Sequence, residues 1–346
     1  MQTQFNNLAA LLTLGLSKRN IPDADLSKAD WGVLVPFIFA NHLVPIARSA
    51  FGQLAEKKLP TPPAEVANKI IYEAVQGLVK YPKRMHDIIE FTTKWVKEDK
   101  RPLAIGGYVF SRFYPNRNLR NEDTLVCVPL RRNAPDDVEV GATNEQNLEF
   151  RTLRVVVPDS ATGPFSMKGG EGADAVLRTV FFSEPCVLDQ ANGLAYPNPE
   201  FLALYHLYTA QQLLLHSRVP FIMVVDWAML LNALMLRAQE KFNWAGFREH
   251  VTDLGLLRFT QRFTALAQRL TGIELSAELS WLTDDVSDKD VAYLYECILT
   301  GVEADTTSVE EKGRFSRFAD VLRNSKKYSR FSDVSPAKQA FRYLFS

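Results

Sequence analysis

Four short apolar runs between two long stretches of helical pattern constrain the fold of this chain more than any other feature. They are the ranges 102–106, 124–128, 151–157 and 177–182. Runs of roughly four to eight apolar and β-branched residues, bounded by glycine, proline and polar residues, are typical of β-strands. On both sides of this block the apolar residues instead recur at helical spacing. The sequence therefore predicts an α+β protein whose small mixed sheet lies between an N-terminal and a C-terminal helical region.

The same patterns divide the chain into three regions. They are a helical N-terminal region at 1–100, an α+β core at 101–190 and a helical C-terminal region at 191–346. In the first region Asp30 is expected to cap a helix, and Pro82 to break or kink one because proline lacks a backbone N–H donor. In the core we expect the runs 102–106 and 124–128 to be neighbours in one sheet, with a helix over the residues between them.

The charge balance and the cysteines limit the classes of function. Lys and Arg together number 40, as do Asp and Glu, so the formal net charge is zero. This excludes a globally basic nucleic-acid binder, and a nucleic-acid partner is not indicated. The three cysteines have no CxxC spacing, so they predict neither a disulfide framework nor a zinc site and suit a reducing compartment. The apolar stretches 32–47 and 221–236 are shorter than the roughly 20 residues of a membrane span. With no cationic leader pattern at the start, we expect a cytoplasmic protein that does not contact membranes.

The segment from Leu103 to Val128 carries the most information about chemistry. An apolar run ends in Gly106-Gly107, a short amphipathic stretch follows, and the next run opens with Glu122-Asp123. Glycines at a strand-to-helix turn let backbone N–H groups approach a phosphate, and a helix N-terminus adds partial positive charge. A carboxylate entering the next strand suits Mg²⁺, which prefers oxygen ligands and neutralises phosphate charge. The alternative is a tight turn between a strand and a helix, without a ligand.

This segment resembles the signature of the polymerase-beta-type nucleotidyltransferase superfamily, in which a Gly-Gly or Gly-Ser turn precedes an Asp-x-Asp/Glu strand. It is more closely similar to a family of uncharacterised bacterial nucleotidyltransferases with a Lys-Gly turn, a Tyr-Pro and an Arg, and a Gly-Asp-Ile-Asp strand. The matching residues, in the family's order, are Gly107, Tyr114-Pro115, Arg120 and Asp123. Further stretches similar to the family's later helices are 198–206, 221–231, 242–247 and 254–259.

The resemblance implies a nucleotidyltransferase-like core that transfers a nucleotidyl group from a Mg-NTP to an unknown acceptor. It implies that Gly106 and Gly107 shape the phosphate turn and that Arg120 pairs with phosphate. It also implies that Asp123 is the catalytic residue and binds Mg²⁺. Such folds often place an acid on a neighbouring strand, which makes Glu149 a candidate second metal ligand.

Several positions depart from the family pattern together. Gly106 stands where the family usually has lysine, and Leu125 stands where the second carboxylate is expected. Because side chains alternate along a strand, positions 123 and 125 share a face and Glu122 points away from it. The family often has charged residues or histidines at three further positions, which are Thr209, Leu213 and Ile222 here. We therefore expect a degenerate site with weak or absent transfer. The alternative function is a catalytically lapsed member that binds a nucleotide or a protein partner.

Other carboxylates offer weaker routes to the missing ligand. Asp137 and Glu139 have the alternation of a metal-bearing strand, but they lie further from the glycines than the motif allows, and a solvated hairpin is the simpler interpretation. Glu145, like Glu149, could lie on a third strand, although an exposed polar strand face also accounts for both.

Three further features have ordinary structural interpretations. His206 and His216 lie on one predicted helix without a nearby acid or cysteine, so structural histidines are expected. The glycine-rich stretch 168–172 lacks the spacing of a P-loop and is expected to be a loop. The basic run 314–327 could contact RNA or phosphate, but its interspersed acid favours an amphipathic helix.

Overall fold

The computed structural model describes residues 2–17, 25–120, 124–134, 137–140, 146–158, 173–216, 219–236, 242–300, 322–323 and 326–335. The α-helices are α1 (Gln2–Ser17), α2 (Trp31–Ala40), α3 (Val44–Glu56), α4 (Ala64–Lys97), α5 (Ala173–Ser183), α6 (Pro199–His216), α7 (Ile222–Leu236), α8 (Trp244–Asp253), α9 (Leu257–Thr271) and α10 (Asp288–Thr300). The strands are β1 (Lys100–Gly107), β2 (Thr124–Ala134), β3 (Asp137–Val140), β4 (Gln146–Phe150), β5 (Leu153–Val157), β6 (Val187–Leu188) and β7 (Ala195–Tyr196). The protein is therefore a mixed α+β protein, as expected.

The first helices begin where the sequence predicts. The Asp30 side chain caps α2 by accepting a hydrogen bond from the backbone N–H of Val33 at 3.4 Å, which confirms the predicted cap. α1 and α3 approach closely at Gly15, where an added Cβ would lie 2.4 Å from the carbonyl oxygen of Ile46. The Ser49 hydroxyl donates to the Gly15 carbonyl at 2.8 Å across the same contact.

α4 is the longest element, with 34 residues and a length of about 50 Å. The helix continues through Pro82, so of the two expected effects of this proline, a break or a kink, the break is wrong. Pro82 lies on an exposed face, where water can hydrogen-bond to the carbonyl oxygen that proline leaves without a partner. The opposite face buries Ile88, Phe91 and Trp95.

The sheet has the strand order β4-β5-β2-β1-β7-β6, with β3 paired to the far end of β2. β1 and β2 are antiparallel, with Leu103 opposite Val128 and Gly107 opposite Leu125. The predicted pairing of the runs 102–106 and 124–128 is therefore confirmed. β1 also pairs with β7 in parallel and β2 with β5 in parallel, so the sheet is mixed.

Two predictions within the core region change. The run 177–182 lies in α5 and not in a strand, because Leu177, Val180 and Phe181 are buried at helical spacing. The sheet also takes in Ala195–Tyr196, beyond the predicted boundary at 190.

The hydrophobic core is continuous from α1 to the segment at 326–335. α7 contributes ten buried residues, so it is surrounded by protein on nearly all sides. Within the described ranges, none of the helices combines the length and the apolar character needed to cross a membrane.

Candidate functional site

The end of β1 is where the sequence predicts the phosphate turn. Gly107 has φ 59° and ψ −110°, a conformation that glycine adopts far more readily than other residues. The chain then enters a six-residue 3₁₀ helix, Tyr108–Phe113, and not the α-helix expected there. Gly107 thus allows a sharp turn, but the partial charge of an α-helix N-terminus is not available to it.

Leu125 occupies the position directly across from Gly107 on β2. Its side chain is 0% exposed, as is that of Val155, its neighbour on β5. The position at which the resembling family has its second carboxylate is therefore a packed core position. A carboxylate there would have to be buried among apolar side chains, which is strongly unfavourable without a partner.

Of the carboxylates predicted for the acidic strand and its neighbour, only Glu149 lies among the described residues. Asp123 and Glu122 lie outside the described residues. Glu149 is exposed on β4, opposite Arg154 of β5, which in turn pairs with Thr124 of β2. Because paired residues share a face, Glu149 lies on the opposite face from Leu125 and two strands away, roughly 10 Å from β2. Its metal role stays a prediction that this geometry does not favour.

The other candidate carboxylates that the structure describes, Asp137 and Glu139, lie on β3 beside the far end of β2. Glu139 pairs with Arg131, six residues beyond Leu125 and so about 20 Å along β2. Glu145 lies outside the described residues. In the part of the chain that the structure covers, no group of three or more His, Cys, Asp or Glu residues could hold a metal ion. These residues do not fit a two-magnesium site.

Arg120 lies in a buried ion pair. Its Nε donates to Oδ1 of Asp226 at 2.8 Å, and its Nη2 donates to Oδ2 at 3.1 Å. The Tyr114 hydroxyl also donates to Asp226 Oδ1, at 2.8 Å. Arg120 and Asp226 are only 4% and 2% exposed. The two-pronged geometry is the strong form of a guanidinium–carboxylate contact, and it fastens the segment after β1 to α7. The predicted pairing of Arg120 with phosphate stays a prediction. The ion pair with Asp226 does not favour it, because the guanidinium already has a carboxylate partner.

Asp226 is the residue that sequence reasoning missed as the partner of Arg120. The signal was present, since Asp226 is the only charged residue in the apolar stretch 221–236. A lone acid in a helix buried on all sides requires a cation and hydrogen-bond donors. The identity of that cation, 106 residues earlier, follows only from the tertiary fold.

His206 is buried against this ion pair. Its Nε2 lies 2.9 Å from the carbonyl oxygen of Met223, so Nε2 carries the proton and donates. Burial lowers the pKa of His206, although Asp226 and the hydrogen bond to Met223 oppose the shift. His206 is therefore a neutral structural histidine, as the sequence interpretation expects. His216 ends α6, and its side chain lies outside the described part.

Tyrosines and arginines gather beside the Gly107 turn. We call Tyr81, Tyr108, Tyr196, Arg112 and Arg117 the tyrosine–arginine cluster. The Arg112 guanidinium lies 3.9 Å above the ring of Tyr196, and β7 places that ring next to β1. Burial raises the pKa of Tyr108 and Tyr196, while the nearby charge of Arg117 acts in the opposite direction on both. The two tyrosines stay neutral, and the charges at the cluster are those of Arg112 and Arg117, with the Asp189 carboxylate also close to Tyr196.

The members of the tyrosine–arginine cluster differ in their exposure to solvent. Tyr108 and Tyr196 are buried, Tyr81 and Arg112 are half-buried, and Arg117 is exposed. Arg117 is therefore the most solvent-accessible charged residue of the cluster. Comparison with protein-family models, curated proteins and solved structures gives no match for this chain.

Proposed function

We propose that this chain is a nucleotidyltransferase-like protein that has lost its transfer chemistry and binds a nucleotide through its phosphates at the Gly107 turn. The observation that carries the proposal is the register of β1 and β2. It sets a sharp glycine turn directly opposite a buried leucine, where the resembling family has a metal-binding acid.

The binding part of the proposal rests on Gly107 and Arg117. A glycine with positive φ lets the backbone come close to a phosphate oxygen without steric hindrance from a side chain. Arg117 is exposed, its charge acts on Tyr108 next to Gly107, and its guanidinium offers several N–H donors to phosphate. Arg120 is not included among the proposed contacts, because Asp226 already holds it.

The loss of transfer follows from the ligand set. Magnesium gives up its hydration shell reluctantly, and nucleotidyl transfer depends on metal ions that neutralise phosphate charge. With Leu125 buried and Glu149 on the other face, the described residues offer no pair of carboxylates beside Gly107. We therefore expect no transfer beyond background.

The test is a transfer assay with labelled ATP, GTP, CTP and UTP on the native protein. The variants are Asp123→Ala and Glu149→Gln, each of which removes one predicted metal ligand. The expected result is background incorporation for all three proteins. Robust transfer by the native protein that Asp123→Ala abolishes would overturn the proposal, and loss in Glu149→Gln would then identify the second ligand.

Binding is tested separately, by calorimetric titration with ATP. Arg117→Ala is expected to weaken binding about tenfold or more, because a hydrogen bond to a charged group is worth roughly 1.5–3 kcal/mol. Arg101→Ala is the matched control, since Arg101 is also exposed but lies at the opposite end of β1. Equal affinities for the two variants would contradict the proposed contact.

A further inference from the structure

α4 has an apolar stripe on its solvent-facing side. We call Ile71, Val75, Val79, Pro82, Ile89 and Val96 the α4 stripe. Its members are three, four or seven residues apart, which is the spacing of a coiled-coil seam. Apart from Pro82, whose side chain is also exposed, their exposed fractions run from 39% to 69%. Nothing among the described residues covers this stripe, although a contiguous apolar surface of this kind usually marks an interaction site.

We propose that the α4 stripe pairs with the α4 stripe of a second copy of this chain, in an antiparallel two-helix contact. In the register that brings Ile71 opposite Ile89 of the second copy, contacting residue numbers add up to about 160. Val79 then faces Pro82 near the two-fold axis, Val96 faces Ala64, and Val75 faces the exposed His86. A two-fold contact of this kind is self-complementary, so every favourable pair occurs twice.

The charges beside the stripe favour this occupant. In an antiparallel pair about a two-fold axis, residues on the same flank of the two helices meet. Glu65 and Lys69 lie on the outer flank at the start of α4, and Glu90 and Lys94 lie on the same flank towards its end. The register above sets Glu65 opposite Lys94, while Lys69 and Glu90 contact Phe39 and Arg151 of their own chain. Opposite charges flanking an apolar seam determine partner and orientation in helix pairs.

A parallel arrangement suits the same residues less well. It would bring the charged flank of one helix against the inner flank of the other. That inner flank carries the half-buried Leu78 and Met85, next to the core. Charged side chains would then be desolvated against apolar ones, which is unfavourable.

The size of the contact is sufficient for a specific dimer. From the exposed fractions, the stripe offers about 500 Å² per copy, so the pair buries about 1,000 Å², which is the size of a weak specific interface. The expected dimer is therefore weak and depends on concentration. Sedimentation velocity on the full chain should show a mass that rises from 39.1 kDa towards twice that value with concentration. A constant mass of 39.1 kDa up to about 0.5 mM would overturn the proposal.

Val79→Glu tests whether the stripe is the surface used. Val79 is the most exposed valine of the stripe, at 69%, so glutamate there should leave the fold intact and abolish the dimer. The matched control is Val33→Glu, on the exposed side of α2, which should dimerise like the native chain. If both variants or neither of them lose the dimer, the α4 stripe is not the interface.

A charge exchange distinguishes a second copy from a different partner. Glu65→Lys and Lys94→Glu should each weaken the dimer by about tenfold, because each change creates two like-charge contacts. The double variant should restore it. Two weakened single variants without recovery in the double variant would contradict the register.

Cysteine cross-linking tests the direction. Val79→Cys should form an intermolecular disulfide readily, because residue 79 lies close to its own copy near the axis. Val96→Cys should not, because it lies opposite residue 64 and about 48 Å along the helix from its own copy. The native chain is the control for its own cysteines, of which Cys127 and Cys297 are buried. Equal cross-linking of both variants would exclude the antiparallel arrangement.

Discussion

Replacing Asp226 by leucine should destabilise the protein far more than replacing Asp226 and Arg120 together. The single change leaves the Arg120 guanidinium buried without its two acceptors at 2.8 and 3.1 Å. Breaking a buried pair from one side typically costs about 3–5 kcal/mol, because one charge stays uncompensated in a low-dielectric interior. Arg120→Met should cost a similar amount, since the buried Asp226 carboxylate then loses its cation and keeps the hydrogen bond from the Tyr114 hydroxyl.

The double variant Arg120→Met/Asp226→Leu removes both charges. Exchanging a whole buried ion pair for well-packed apolar residues is often close to neutral. The double-mutant cycle should therefore give a coupling energy of several kcal/mol, well above the roughly 1 kcal/mol of an exposed pair. Tyr114→Phe, which removes one donor to Asp226, should cost about 1.5–3 kcal/mol.

The assay is urea unfolding followed by tryptophan fluorescence and circular dichroism, with free energies taken from the midpoint and the slope. The reasoning would be refuted if Arg120→Met unfolds like the native protein and loses only ATP affinity. In that case Arg120 would be a phosphate ligand, as the sequence resemblance implies, and the burial of Asp226 would not require its ion pair with Arg120.

Three further changes test other parts of the structure. Gly107→Ala should lose about 1–3 kcal/mol of stability and weaken ATP binding, because residue 107 has a positive φ. Gly106→Ala should leave the melting temperature nearly unchanged, because its Cβ would meet Val126 at an ordinary 3.4 Å. Asp87→Asn should destabilise the protein at neutral pH. Burial alone would raise the pKa of Asp87, but hydrogen bonds from Thr152 and the charge of Arg151 outweigh it and lower the pKa. A lowered pKa contributes stability that is complete above the unfolded value and is lost as pH falls through the folded value. The cost of Asp87→Asn in urea unfolding should therefore shrink below about pH 4. Leu125→Asp should cost several kcal/mol and should not create Mg²⁺-dependent transfer, because the position is packed with apolar residues.

Each of these has an outcome that would contradict it. Equal melting temperatures for Gly107→Ala and Gly106→Ala would mean that the turn is not strained by a side chain. A cost of Asp87→Asn that stays constant from pH 7 to pH 3 would mean that folding does not lower the pKa of Asp87. Measurable transfer by Leu125→Asp would mean that the rest of the metal site has survived.

The sequence predicts elements well where one local signal dominates. The pairing of β1 with β2 follows from two apolar runs with glycines and polar residues at their ends. The run 177–182 misleads because its valine and phenylalanines suggest a strand, while the spacing of Leu177, Val180 and Phe181 is helical and places them all in the core. Pro82 misleads for a different reason, since its position on an exposed face makes the lost hydrogen bond tolerable.

The candidate site divides in the same way. Gly107 could be found from sequence because a glycine at a strand end has a local conformational reason. The partner of Arg120 could not be found from sequence. A charged residue in an apolar helix indicates that some partner is required, but not which residue supplies it. The burial of Leu125 could not be predicted either. It depends on how β2 pairs with β1 and β5, and the residue pattern within one strand does not determine that pairing.

Calorimetric titration of the native chain with ATP, once with Mg²⁺ and once with a chelator, tests the central claim most directly. We expect ATP to bind in both conditions, with an affinity that Mg²⁺ does not increase, because the residue opposite Gly107 is the buried Leu125 and not a carboxylate. Binding that appears only with Mg²⁺, or no binding in either condition, would contradict it.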